Sequence, residues 1–270
     1  MFKRITFFLL AVAALAGCTQ ETRISGPAAL YSDVGAARSR CPSNGTPSPG
    51  SRVVGGLEVD GICTLDTVTV TGGVAIDSGG HLELEGSTIY GGVSVARCGE
   101  FDVDLAPDVG IATGAISTIN GDIVIQASPA CVPPAFSDVD IWTARINGRI
   151  SVIGEYAGGP TICGNEITGD VIMSGVSTPR FRFWVGDPEG PLGCPGNTIR
   201  GTLSVVNSSH FEVESNSLGG SVLLDGSAVE LNGNTIGGSL TCTNGAVIVP
   251  GQDYDPSGNT VRGANSCYLR

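Results

Sequence analysis

Beyond Lys3 this chain of 270 residues contains no lysine, and it carries only two histidines, two tryptophans and two methionines. Acidic residues outnumber basic ones, 26 to 14, for a formal net charge of −12. With no basic stripe to neutralise phosphates, nucleic acid is excluded as a partner and anionic polymers are poor candidates. No CxxC pair occurs and neither histidine belongs to a cysteine motif, which argues against a bound metal such as zinc. Serine nucleophile elbows, phosphate loops and dinucleotide fingerprints are missing as well, so no cofactor is expected and no catalytic constellation stands out. After the first eighteen residues no apolar run is long enough to cross a bilayer. A helical protein is excluded by an excess: 41 glycines and 15 prolines would cost too much in helix interiors.

What the chain does have is a recurring seven-residue phrase, apolar-x-Gly-x-apolar-x-apolar. It occupies residues 53–59, 70–76, 89–95, 119–125, 146–152, 167–173, 199–205, 218–224 and 236–242, with a weaker tenth copy from Val261. Its marker glycines, Gly55, Gly72, Gly91, Gly121, Gly148, Gly169, Gly201, Gly220, Gly238 and Gly263, are separated by 17, 19, 30, 27, 21, 32, 19, 18 and 25 residues. The shortest separations give the bare coil and the longer ones carry insertions. Apolar residues two apart and rich in Val, Ile and Leu have the period of a strand. A second alternating pair follows in several coils, as at Leu82 and Leu84, Phe211 and Val213, Val229 and Leu231, and Val247 and Val249. About three short strands per coil, none able to bury its apolar face alone, imply parallel stacking. The expected fold is all-β: a single-stranded parallel β-helix (β-solenoid) of about nine coils with long loop insertions. The alternating pairs around a corner glycine favour the right-handed form.

Asn165, Asn197, Asn216, Asn234 and Asn259 each lie two residues before the apolar residue that opens a phrase. Asparagine tolerates the left-handed backbone of sharp corners, and stacked amides bond from coil to coil. The structural role outweighs a ligand-binding one.

Three segments follow from composition. Residues 1–17 form a signal peptide: Lys3 and Arg4, an apolar stretch over 5–14, then Leu15-Ala16-Gly17-Cys18. Residues 18–50, rich in Ser, Pro, Gly and Ala, read as a mostly disordered tether. The β-helix is expected over 51–270. Eight cysteines remain after Cys18, an even number that suggests disulfides in an oxidising compartment. Cys163 and Cys194 precede equivalent corners of adjacent coils, and Cys242 and Cys267 each stand four residues after a marker glycine. Cys98 and Cys131 fall in the two consecutive coils with long insertions, which leaves Cys41 with Cys63 at the amino-terminal end. Coils about 4.8 Å apart bring such pairs within bridging distance.

Chemistry on a solenoid usually resides in insertions on one face. Two regions qualify. The first holds Asp102, Asp104, Asp108, Asp138, Asp140, Trp142 and Arg145; the second holds Arg180, Phe181, Arg182, Phe183, Trp184, Asp187 and Glu189. In the run 101–105 apolar and acidic residues alternate, placing the carboxylates on one strand face, where they would serve as calcium ligands, as an acid and base pair, or as a solvated outer surface. The run 180–184 sets Arg180 and Arg182 on one side and Phe181 and Phe183 on the other. Facing outward, its aromatics would make a sugar-stacking platform; facing inward, they would cover the coil. The candidate ligand surface is therefore Arg180, Arg182, Trp184, Trp142, Arg145, Asp138 and Asp140. His81 and His210 occupy equivalent corners several coils apart, too far to act together. The residue three after each marker glycine runs Ala75, Ser94, Val124, Ser151, Ile172, Ser204, Leu223 and Thr241, too irregular for the outward threonine array of an ice-binding face.

The tetrapeptide ending at Cys18 resembles the lipobox of bacterial lipoproteins. That resemblance implies lipidation of Cys18, cleavage before it and a membrane anchor; Thr19, not Asp, implies the outer membrane where a bacterium has two. The coils resemble bacterial parallel β-helix proteins, and Ile119-Asn120-Gly121-Asp122-Ile123 and Ile167-Thr168-Gly169-Asp170-Val171 resemble the phrase of bactofilins, whose members associate end to end. The export signal, cysteines and insertions depart from bactofilins. The expected function is an exported cell-envelope lipoprotein whose β-solenoid is a non-enzymatic binding or structural surface, contacting a glycan or another envelope protein. The alternative is a polysaccharide lyase or hydrolase built on the same fold, for which only Asp138, Asp140 and Arg145 approach a suitable cluster.

Overall fold

In the computed structural model the residues described are 38–103, 115–128, 131, 139–155, 161–177, 183–188, 193–249 and 258–267. They belong to one compact unit, Gly35–Arg270. Among them there is no helix: 29 strands form three parallel sheets of ten, ten and nine strands. Sheet A runs from Ser39–Cys41 to Leu240–Thr243, sheet B from Arg52–Val54 to Thr260–Val261, and sheet C from Ile62–Asp66 to Val247–Val249. After the first strand the chain visits B, A and C in turn, so each strand's neighbours lie one coil before and one coil after. This is the parallel β-helix that the repeat dictates.

The seven-residue phrase is the B-to-A corner. Ile146 ends a strand of sheet B, Gly148 lies in the turn, and Ile150 and Val152 face inward from sheet A. In register along sheet A stand Leu57, Val74, Val93, Ile123, Ile150, Val171, Leu203, Val222 and Leu240, all buried in one core cluster. Each such side chain contributes about 1.5–3 kcal/mol when fully buried, but only with a rung above and below it. The corner glycines serve two ends. Gly91 has φ 105°, a conformation side chains resist, whereas a Cβ on Gly201 would collide with the Gly169 carbonyl of the coil beneath.

The C-to-B corner holds the asparagine ladder. Asn197 Nδ2 donates to Ile162 O (2.7 Å) and to Asn216 Oδ1 (2.9 Å), while its Oδ1 accepts from Asn165 N and Nδ2, both at 3.0 Å. Asn165, Asn216 and Asn234 repeat the pattern and Asn259 ends it. Towards the amino terminus serine takes over: Ser87 Oγ accepts from Val68 N at 2.9 Å, and Ser117 Oγ from Ser87 N at 3.2 Å. Buried backbone groups that turn a corner away from the sheets thus find partners.

Four disulfides join Cys41 to Cys63, Cys98 to Cys131, Cys163 to Cys194 and Cys242 to Cys267, with Cα separations of 5.7, 5.3, 5.1 and 5.0 Å. These are the four pairs expected, two from equivalent positions in adjacent coils, one from the coils with long insertions and one by elimination.

Two expectations are corrected. The β-helix begins before residue 51, because Ser39–Cys41 pairs with Leu57–Val59 and Cys41 is fully buried; three residues with one inward side chain show no period. Residues 18–37 of the expected tether, Cys18 among them, lie outside the described residues. In the last coil Ile248, not Val247 and Val249, faces the core: Ile248 aligns with Val229 and is buried. A run of three β-branched residues hides which one points inward.

Candidate functional site

Connection lengths single out sheet C. The B-to-A connections have only two or three residues, from Val54 to Leu57 at the first and Ile236 to Leu240 at the last. After the link from Cys41 to Arg52, every long connection enters or leaves sheet C: between Val103 and Thr118, Gln126 and Val139, Ile153 and Thr161, Ser174 and Phe183, Val185 and Thr198, and Val249 and Thr260. Insertion sites on a solenoid tend to collect on its working face.

On the outer face of that sheet Thr64, Glu83, Asp102, Asp140, Thr161, Trp184, Glu212, Glu230 and Val249 stand in register, one per rung. Five of these nine are carboxylates. Strands read apolar-in and acidic-out at Leu82-Glu83-Leu84, Phe211-Glu212-Val213 and Val229-Glu230-Leu231, so the row was findable between the alternating pairs.

Near its amino-terminal end the row is organised around His81. Its Nε2 lies 2.8 Å from Asp102 Oδ2 and its Nδ1 3.1 Å from Glu100 Oε2, while Thr64 donates to Glu83 Oε2 at 2.9 Å. The hydrogen bond with Asp102 raises the His81 pKa against the opposing effect of burial, and the charges of Asp102, Glu100 and Glu83 add to it. Burial, with Asp102 nearby, pushes the Glu100 carboxyl up although His81 opposes it. With a carboxylate oxygen at each ring nitrogen and its pKa raised, His81 is placed to balance the charge of its neighbours when protonated.

In the middle of the row Trp142 Nε1 donates to Thr161 Oγ1 at 3.0 Å, and Thr161 donates to Asp140 Oδ1. Trp142, only 3% exposed, packs with the Cys163–Cys194 disulfide, and half-buried Trp184 covers the group. Further on, the carboxylates are buried: Glu212 and Glu230 are each 4% exposed, and Asn232 Nδ2 reaches both Glu214 Oε1 at 3.2 Å and Glu230 Oε1 at 3.3 Å.

The expected ligand surface is thereby rearranged. Asp140 and Trp184 share the outer row of sheet C. Trp142 is buried and offers no ligand-facing ring. Arg145 turns onto the outer face of sheet B, where its Nε lies 3.5 Å from Glu166 Oε2; the corner at Thr143 and Ala144 takes it away from Asp140. Phe183 is fully buried and stacks on Phe211 with ring centroids 4.7 Å apart. Asp138, Arg180 and Arg182 lie outside the described residues, as do Asp104, Asp108, Phe181 and Glu189. His210 stands at a bulge of the same sheet, far along it from His81. Sequence reasoning missed the His81, Glu83 and Glu100 cluster, because its members come from two coils and meet only through the register.

Among the described residues no group of three His, Cys, Asp or Glu side chains is arranged to hold a metal ion. No helix among them is long and apolar enough to cross a membrane. No protein-family model, no curated protein and no solved structure matches this chain.

Proposed function

We propose that the protein is a cell-envelope lipoprotein, anchored through Cys18, whose β-helix is a non-enzymatic binding scaffold that contacts carbohydrate along the outer face of sheet C. The observation that carries this reading is the accessible part of the row, in which Thr64, Glu83, Asp102 and Asp140, all partly exposed, lead at rung spacing to the half-buried ring of Trp184. Hydroxyl and carboxylate groups bond to sugar hydroxyls, and an indole face packs against a pyranose ring. The acidity of the face favours neutral or amine-bearing sugars over uronates. Four disulfides suit an exported protein, and the lipobox sequence at residues 15–18 supplies the anchor, to the outer membrane in a bacterium with two.

A non-enzymatic role fits the pairing of His81 with two carboxylates and the separation of Asp140 from Arg145. A glycan array probed with the full chain, with parallel incubations on pectin, alginate and glycosaminoglycans, tests the proposal. Binding without product release, weakened at least tenfold by Trp184→Ala, is expected. Release of oligosaccharide, lost on changing Asp140, would overturn it in favour of a lyase or hydrolase.

A further inference from the structure

The row three residues beyond the marker glycines is the outer row of sheet A, and its register shows an order that its composition hides. From the second coil it alternates strictly: Ala75, Ser94, Val124, Ser151, Ile172, Ser204, Leu223, Thr241, each paired with the next. Beside it, two residues further along each strand, runs Gln126, Ile153, Ser174, Val206, Asp225 and Thr243. The two rows are out of phase. Ser151 sits beside Ile153, Ile172 beside Ser174 and Ser204 beside Val206, so large apolar and small polar side chains form a checkerboard. Ile153 is 40% exposed. In a chain of net charge −12 the only charged side chain within these six strands is Asp225, whose Oδ1 accepts from Thr243 Oγ1 and Asn244 Nδ2; Asp122, Arg149 and Asp170 border the patch at the corner before three of the strands.

We propose that this face is the interface of a parallel, side-by-side dimer of two copies of the chain. A two-fold axis parallel to the stack lays each rung on the same rung of the second copy and exchanges the two rows. Ile172 then meets Ser174 of the second copy, Ile153 meets Ser151, and Val206 meets Ser204. On these three rungs each knob faces a gap, the large-against-small arrangement that lets two layers interdigitate, and the contact is isologous, as a closed two-fold dimer requires. Sheets packed face to face lie about 10 Å apart. Val124 with Gln126 closes one end of the patch, and at the other Leu223 with Asp225 is followed by Thr241 with Thr243.

The size sets the strength. Six rungs at about 4.8 Å and four residues per strand at about 3.3 Å give a footprint of about 400 Å² per copy. The total, about 800 Å², is under the range of about 1,200–2,000 Å² of stable complexes. The dimer is therefore weak and concentration-dependent, suited to chains held at high local concentration. Both first coils emerge at the same end, as two chains anchored in one membrane require; this last point alone rests on the lipoprotein reading.

Sedimentation equilibrium of the full chain in detergent, at increasing concentration, reads the association. The wild type is expected to move from monomer to dimer, and Ile172→Glu with Val206→Glu to weaken that equilibrium at least tenfold. Thr198→Glu, on the outer face of sheet B, controls for added charge and leaves it unchanged. Unaltered thermal melts establish that the variants are folded. Cross-linking of Ile172→Cys chains with Ser174→Cys chains reports the parallel arrangement; cross-linking with Ser204→Cys chains instead would overturn it. A wild type that stays monomeric throughout, or a double variant that dimerises equally well, would sink the interface, whatever the glycan array shows.

Discussion

At the scale of single residues, the most informative side chain is His81, because its charge holds together carboxylates contributed by two coils. Its pKa is raised in the folded chain by Asp102 first and by Glu100 and Glu83 after it. A group protonated more readily when folded adds stability that is complete below its unfolded pKa, about 6.5, and that is lost as pH rises through the higher folded value. Glu100, also raised, acts in the same direction at lower pH. Asp122 acts oppositely: burial raises it, but hydrogen bonds from Arg149 at 2.7 to 3.1 Å outweigh burial and lower it, so its contribution is lost as pH falls through the lowered value. The melting temperature is thus expected to decline from about pH 6.5 upward, and His81→Gln to flatten that decline. Calorimetric melts across this range check it; identical pH profiles for the two proteins would remove His81 from the account.

At the scale of elements, the corner ladder shows why an interior position differs from a terminal one. The Asn197 side chain makes four hydrogen bonds to three residues, and replacing it by alanine orphans the Asn165 backbone N–H, while the Ile162 carbonyl keeps Gly186 N and the Asn165 side-chain amide keeps Ile141 O. An orphaned buried group costs about 1–3 kcal/mol, and with the other three hydrogen bonds also lost Asn197→Ala is expected to lose about 2–4 kcal/mol. Asn259 closes the ladder and is only half buried, so Asn259→Ala is expected to lose about 1 kcal/mol. Urea unfolding of the two variants measures the contrast, and equal losses would refute the ladder as a cooperative element. The same contrast explains what was legible in the sequence. Asn165 to Asn259 and the B-to-A phrase repeat at fixed offsets because every coil solves the same packing problem there. Sheet C was harder to read, since its strands meet insertions on both sides. Trp142 is covered on the outer side of the sheet by a disulfide between two other coils, and Arg145 is turned away by a corner two residues long. Neither effect leaves a mark in the local pattern.

For the whole stack, the question is how far damage at one rung travels. By chain entropy alone the Cys163–Cys194 and Cys242–Cys267 bridges, which span 31 and 25 residues, are each worth about 3.5 kcal/mol. Their surroundings differ. Cys163 and Cys194 are buried in mid-stack beneath Trp142, with coils on either side, whereas Cys242 and Cys267 are half buried in the final coil, where Leu240 bridges to Asn265. In a quasi-one-dimensional array each rung is stabilised by its nearest neighbours, so an end can fray without dissolving the rest. Replacing Cys242 and Cys267 by serine is therefore expected to abolish amide protection in the last coil while the melting temperature falls by only a few degrees. Replacing Cys163 and Cys194 opens a contact shared by neighbouring coils, and the transition is expected to shift further and to lose its single step. Hydrogen exchange beside calorimetry separates the cases. Equal shifts with uniform loss of protection would mean that the stack unfolds as one unit, and that entropy of the unfolded chain, not neighbour contact, governs what each clip contributes.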